Sequence, residues 1–238
     1  MKRFLVLLLF ISFTTIAFSK GDSVLQSFGL HYTMKMSYRN IATSDSELKS
    51  TINSNSGYKF ADDIGVFYQV VLPSRIGLRM GVKYVNKGFK IDNYEDFGFT
   101  AIEGEKYKAG FHNLSFPVQI SYHRLNNGKR FHFYPFLEVS YDVLLATTKK
   151  TSNFNEPKQV IKPSSPLNDD LRMHNISASF GMGWLYRINP DWIMGFRAYF
   201  TTDILPVYTK SGWDTRLDAS AISLEINYVL GNKTKKEK

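Results

Sequence analysis

The 238-residue chain contains no cysteine. That absence excludes a disulfide scaffold, a thiolate metal centre, a thiol nucleophile and a bacterial lipoprotein anchor. Beyond the first 19 positions there is also no apolar run of the roughly 20 residues a membrane-crossing helix needs. Phosphate-binding chemistry has no carrier, because Gly181-Met182-Gly183 sits in a strand pattern with no helix after it. The five histidines, 31, 112, 123, 132 and 174, lack ligand spacing such as HExxH. No catalytic residue, metal site or cofactor is therefore expected. Acid is the minority charge, with 21 Asp+Glu against 30 Lys+Arg. What is abundant is apolar and aromatic: 43% hydrophobic residues, 15% Phe, Trp and Tyr.

The N-terminus reads as a secretory signal. Lys2 and Arg3 precede an apolar run from Phe4 to Phe13, and Ala17-Phe18-Ser19 places small residues where a signal peptidase cuts. The expected organisation is a signal peptide at 1–19, one barrel domain at 20–231 and a basic periplasmic tail at 232–238. Export without cysteine fits a bacterial envelope better than a eukaryotic secretory route.

Eight segments then alternate with period two. In the first, Phe28, Leu30, Tyr32, Met34, Met36 and Tyr38 share a face opposite Gly29, His31, Thr33, Lys35 and Ser37. The same pattern recurs over residues 64–72, 76–84, 114–122, 131–143, 176–188, 192–200 and 222–230, and no position on the apolar face is charged. The other face carries Lys35, Arg79, Lys83, Glu138, Asp142, Arg187, Arg197 and Glu225, with serines, threonines and several glycines.

Alternation alone leaves open which face points inward. Large aromatics at segment ends, such as Tyr38, Tyr84, Tyr122, Trp184, Trp192 and Tyr228, suit bilayer interfaces and would crowd a small barrel's interior. A face of small residues and paired opposite charges suits a narrow lumen. Connections at 73–75, 123–130 and 189–191 are short, and those at 39–63, 85–113, 144–175 and 201–221 are long, in strict alternation. Short periplasmic turns and long extracellular loops are the mark of an even-stranded outer-membrane barrel. The fold expected is all-β: an eight-stranded antiparallel up-and-down transmembrane β-barrel.

Segments four to six also resemble a family. Asn113-Leu114-Ser115-Phe116-Pro117-Val118 is similar to the Y-L-E-I-P-L strand of the PorT-type outer-membrane β-barrel proteins of Bacteroidetes. Tyr134-Pro135-Phe136-Leu137-Glu138-Val139-Ser140-Tyr141 resembles their following strand, and Ser179-Phe180-Gly181-Met182-Gly183-Trp184 their glycine-spaced sixth. Ser115 replaces the expected Glu, and a basic tail follows the last strand. The resemblance implies a membrane barrel with, in some members, a part in protein secretion or gliding.

The expected function is that of a non-enzymatic, monomeric barrel in the cell outer membrane. Its lumen would be filled by the eight charged residues named above, serving as a structural ion-pair network. It would contact membrane lipid and a protein or glycan partner at loops such as Tyr94–Phe99, Glu103–Tyr107 and the stretch holding Pro157, Pro163 and Pro166, and would bind no nucleic acid. Two other readings are a soluble exported lipocalin-like barrel holding a small apolar ligand and a lipid-modifying barrel enzyme, the latter suggested only by His31 and Ser37 sharing a face.

Overall fold

The computed structural model describes residues 24–44, 46, 49–50, 56–91, 107–123, 130–151, 159–161, 171–210 and 213–230. The signal sequence, the basic tail and the loop residues Tyr94–Phe99, Glu103–Lys106, Pro157, Pro163 and Pro166 lie outside them. The strands are β1 (Leu25–Ala42), β2 (Ser56–Gly57), β3 (Lys59–Val71), β4 (Ile76–Ile91), β5 (Tyr107–Tyr122), β6 (Phe131–Thr151), β7 (Gln159–Ile161), β8 (His174–Arg187), β9 (Trp192–Asp203), β10 (Tyr208–Lys210) and β11 (Trp213–Leu230). Eight of them, β1, β3, β4, β5, β6, β8, β9 and β11, pair in that order, each antiparallel to the next, and β11 pairs back onto β1 to close the barrel. Closure leaves no unpaired edge, which a spanning sheet in hydrocarbon requires. The short strands β2, β7 and β10 extend the wall at the long-loop end.

Turn chemistry sets the hairpins at the periplasmic end. Across residues 72–75, Leu72 N–H donates to the Ile76 carbonyl and Arg75 N–H to the Leu72 carbonyl, with Arg75 at a left-handed φ of 69°. At 188–191 the Asn189 side-chain oxygen accepts from Asp191 N–H and Trp192 N–H, both at 2.9 Å, an Asx turn.

Each apolar segment lies within a barrel strand apart from its last residue in two cases, Leu72 and Ile188. The strands run much further at the loop end: β1 continues to Ala42, β4 to Ile91 and β6 to Thr151, while β5 starts at Tyr107 and β11 at Trp213. Limits drawn from the apolar face end too early because the outward face turns polar there, at Asp62, Asn86, Thr202 and Asp218. Asp218 accepts from Thr202 Oγ1 at 2.6 Å and Asn40 Nδ2 at 3.0 Å. Where the wall rises out of hydrocarbon, water replaces lipid and the outward face no longer needs to be apolar.

The faces are inverted relative to a soluble barrel. Leu137 is 68% exposed and Ile120 57%, whereas Thr33, Ser115 and Ser223 are fully buried. The apolar band points outward, which overturns the lipocalin-like alternative. Aromatics mark both of its edges. At the periplasmic side Trp192 packs edge-on against Tyr228, and Trp184 packs at a tilt against Phe196. At the other edge Tyr84 stacks on His112 and Tyr141 on His174. Between His112 and Asn113 the β5–β6 register shifts, leaving the outward Leu145 unmatched and switching the parity of β6, so that even-numbered residues face the interior up to Leu144 and Thr147 does so beyond it.

Candidate functional site

The period of two carries every second residue of eight strands into a space only wide enough for side chains. The charges meet there in two tiers. In the lower, Arg79 Nη1 lies 2.7 Å from Glu225 Oε2, and Arg197 Nε lies 3.3 Å from the same oxygen. Lys83 Nζ reaches Glu138 Oε1 at 2.7 Å, with Arg197 Nη1 3.7 Å from Glu138 Oε2. In the upper, Lys35 Nζ meets Asp63 Oδ1 at 2.5 Å, and Lys87 Nζ donates to both Asp142 Oδ2 and Asp203 Oδ1 at 2.7 Å.

Neutral donors complete the carboxylates. Tyr134 OH donates to Glu225 Oε1 at 3.3 Å, Ser177 Oγ to Asp142 Oδ2 at 3.1 Å, and Leu217 N–H to Asp203 Oδ2 at 3.2 Å. The guanidiniums also lie on rings, Arg79 Cζ 3.2 Å from the Phe67 centroid and Arg197 Cζ 5.4 Å from that of Phe136. A planar guanidinium can use its edge for a carboxylate and its face for an aromatic, which an ammonium cannot.

Seven of the eight charged residues singled out in the sequence fall within these tiers. Arg187 does not. It is half-buried at the periplasmic end of β8, where its N–H donates to the Arg130 carbonyl, and among the described residues it forms no ion pair. Being the last residue of its strand, it can turn its guanidinium toward water at the rim. Sequence reasoning missed Asp63, Lys87 and Asp203, which lie just past the limits of the apolar segments. With them, the lumenal ion pairs seen among the described residues join the cations Lys35, Arg79, Lys83, Lys87 and Arg197 to the anions Asp63, Glu138, Asp142, Asp203 and Glu225, five against five. Spacing carried a signal for Lys87: Arg79, Lys83 and Lys87 recur every four residues along β4, and Glu138 and Asp142 repeat that step along β6. A step of four keeps one face of a strand, so the two strands present matching ladders.

Apolar clusters lie above and below the ions. Phe89, Ala109, Phe111, Leu144, Val207 and Leu217 pack together inside the extracellular half, and Tyr134, Phe136, Leu185, Ile193 and Val229 inside the periplasmic half. Alternation had marked the inward face as small and polar. Instead, the two ends of the lumen carry large apolar groups, because burial inside a closed barrel favours them as a core does. Glycines opposite make room: a methyl at Gly183 would collide with the Tyr134 ring, and one at Gly195 with the Glu225 carboxylate.

The void among Lys35, Asp63, Lys83, Lys87, Ser115 and Asp142 is about 10 Å³, the size of a single water. A larger groove of about 670 Å³ lies on the outer wall, lined by Ile120, Tyr122, Pro135, Leu137, Phe180 and Phe200 on the apolar face. Just past the end of β5, His123 stacks on Tyr134 with centroids 4.7 Å apart and contacts Ser121 Oγ at 2.9 Å. Burial holds its pKa down to about 4, so the ring is neutral at pH 7. Among the described residues no group of His, Asp and Glu could hold a metal ion. His31 and Ser37 are separated by Thr33 and Lys35 on the inner face of β1, and no hydrogen bond joins them among the described residues.

A closed antiparallel barrel with an apolar exterior, aromatic edges and a charged interior defines an outer-membrane β-barrel protein. The family model for the outer membrane protein beta-barrel domain matches residues 25–201, and the chain belongs to that family. It resides in the outer membrane. No curated protein matches the sequence. Among solved structures, a major outer membrane protein from Thermus thermophilus is similar at 11% identity and TM-score 0.48, over 87% of this chain and 100% of that one. The outer membrane protein OprG from Pseudomonas aeruginosa gives 11% identity and TM-score 0.44 over 87% and 96%. The outer membrane protease OmpT from Escherichia coli gives 10% and 0.40 over 89% and 98%. None of these similarities reaches a level from which a function follows.

Proposed function

We propose that this is a non-enzymatic, monomeric outer-membrane barrel with a closed lumen, working through its extracellular loops as an envelope component of the PorT type. It is made with a cleaved signal at 1–19 and keeps a basic periplasmic tail at 232–238. The observation that carries this reading is the filling of the interior: balanced ion pairs lie between two apolar clusters, and the void beside them is about 10 Å³. A hydrated ion has no path through such packing, so function falls to the surfaces that project from the frame.

Two measurements test it. Purified protein in planar bilayers should give no steady single-channel current, whereas large, stable conductance steps would overturn the closed lumen. A photo-crosslinker placed at Tyr94 or Lys158 should trap a partner in intact cells, while one at Arg75 should not. Adducts at Arg75 alone would move the working surface to the periplasm.

A further inference from the structure

The groove on the outer wall is a trough between two ridges. Its upper ridge is the register row Leu137, Phe180 and Phe200, and its lower ridge is the row Phe133, Trp184 and Phe196. Ring contacts tie the ridges together, with centroids 5.7 Å apart for Phe180 and Phe200, 5.7 Å for Phe133 and Trp184, and 5.5 Å for Trp184 and Phe196. Between them runs the row Pro135, Met182 and Ala198. Pro135 and Ala198 are short beside the aromatic rows, and Met182 between them is unbranched and flexible, which leaves the space of about 670 Å³. The floor continues sideways. Tyr122 lies one residue past Ser121, the partner of Phe136, so it is level with Pro135, and Ile76 is the partner of Tyr122. Both line the groove.

Because barrel strands tilt, a row of register partners descends across the wall. Ala198 is six residues above Trp192, the periplasmic start of β9, whereas Ile76 is itself the first residue of β4. The trough therefore runs from mid-wall down to the periplasmic edge. Its four strand-to-strand steps of about 4.8 Å make it roughly 19 Å long, enough for a chain that fills one leaflet of roughly 15 Å. At the lower end stands Arg75. It is exposed, has no ion pair among the described residues, and holds a φ of 69°, where glycine is favoured. Its N–H donates to the Leu72 carbonyl at 2.9 Å and its carbonyl accepts from His123 N–H at 2.7 Å, so the backbone is pinned there. A guanidinium kept at a strained position points to a use for its side chain. We propose that the trough binds one glycerophospholipid of the periplasmic leaflet. An acyl chain lies along Pro135, Met182 and Ala198, and the phosphate lies against Arg75, whose guanidinium offers paired donors to phosphate oxygens. Tyr122, 50% exposed at the same end, adds a hydroxyl. This site rests on the outer-membrane placement of the barrel and not on whether its lumen conducts, and because its occupant is lipid no protein crosslink at Arg75 is expected.

The test uses the full chain in detergent, titrated with dipalmitoyl phosphatidylglycerol and with dipalmitoyl glycerol, which has the chains but no phosphate, and read by native mass spectrometry. The wild type should retain a single phosphatidylglycerol per barrel. Arg75→Gln, which meets the same backbone conformation, should bind it roughly fivefold more weakly, the contribution of one cation near an anionic lipid. Dipalmitoyl glycerol should bind the wild type no better than phosphatidylglycerol binds that variant. Ala198→Phe raises the floor of the trough to the height of its ridges and should lose the retained lipid, while Leu224→Phe, on the apolar band of β11 away from the trough, should keep it. Heat-modifiable migration on gels confirms that each variant is folded. Unchanged binding in Arg75→Gln or in Ala198→Phe, or equal binding of dipalmitoyl glycerol, would each overturn the proposal. A dimer carrying no lipid would overturn it as well, because it would assign the trough to a second copy of the chain.

Discussion

Lys87→Met should lower the stability of the folded barrel by about 3–5 kcal/mol, the cost of leaving a buried counter-charge unpaired. Lys87 is the common partner of Asp142 and Asp203, at 2.7 Å from each, and the side chains of all three are at most 4% exposed. Without the ammonium, two carboxylates face each other out of reach of water. The loss is measured as a shift of the urea unfolding midpoint in lipid vesicles, followed by tryptophan fluorescence. The triple variant Lys87→Met, Asp142→Asn, Asp203→Asn should recover most of it. The two amides keep acceptors for Ser177 Oγ and Leu217 N–H and bury no charge, and neutral replacements of whole buried ion clusters are often tolerated. A triple variant as unstable as Lys87→Met would mean that the ammonium holds the barrel by packing and not by charge.

The second large effect belongs to the opposite face. Val118 lies midway along the outward apolar row of β5, with Leu114 and Phe116 on one side and Ile120 and Tyr122 on the other, and is 48% exposed. Val118→Arg should destabilise the barrel by about 2–4 kcal/mol, as a cation near the bilayer midplane does. Asn86→Arg, on the same face of the neighbouring strand but above Tyr84, should cost about 0–1 kcal/mol. The contrast between the two, read by the same unfolding assay, measures where the hydrocarbon ends. Equal costs at both positions would place the band elsewhere.

The outward face was legible in the sequence because lipid is a uniform solvent. It demands the same chemistry of Leu30, Val118 and Met194 whatever their neighbours, so alternation and aromatic ends were enough to find it. The interior answers to different demands. Arg79 and Glu225 are on β4 and β11, strands that are not neighbours in the wall, and they meet only because the closed barrel brings their inner faces together. No local pattern encodes that contact. Asp63 and Asp203 were hidden for a second reason. They lie where the outward alternation has already turned polar, so the strand seemed to have ended although its inward half continued. Arg187 shows the converse, since it keeps the right parity yet stands at the strand's last position, where the rim offers water in place of a counter-ion. The apolar clusters inside each end were missed for two reasons: Phe89 and Phe111 lie in the stretch 85–113 that the outward pattern gave as a loop, while Leu185 and Ile193 interrupt an inward face that alternation had marked as polar.

The absence of cysteine makes the most direct measurement clean, since a single introduced thiol is the sole labelling site. Fluorophores attached to Leu30→Cys, Ile120→Cys and Leu224→Cys, in protein folded into vesicles of brominated-chain lipid, report contact with the hydrocarbon. Asn86→Cys, on the same side of the wall but above the band, serves as the control. Strong quenching by lipid bromine at the first three, with little at Asn86→Cys and little by aqueous iodide at the first three, is the predicted result. Iodide quenching at positions 30, 120 and 224 without bromine quenching would contradict the account, because it would put the apolar face in water and the barrel outside the membrane.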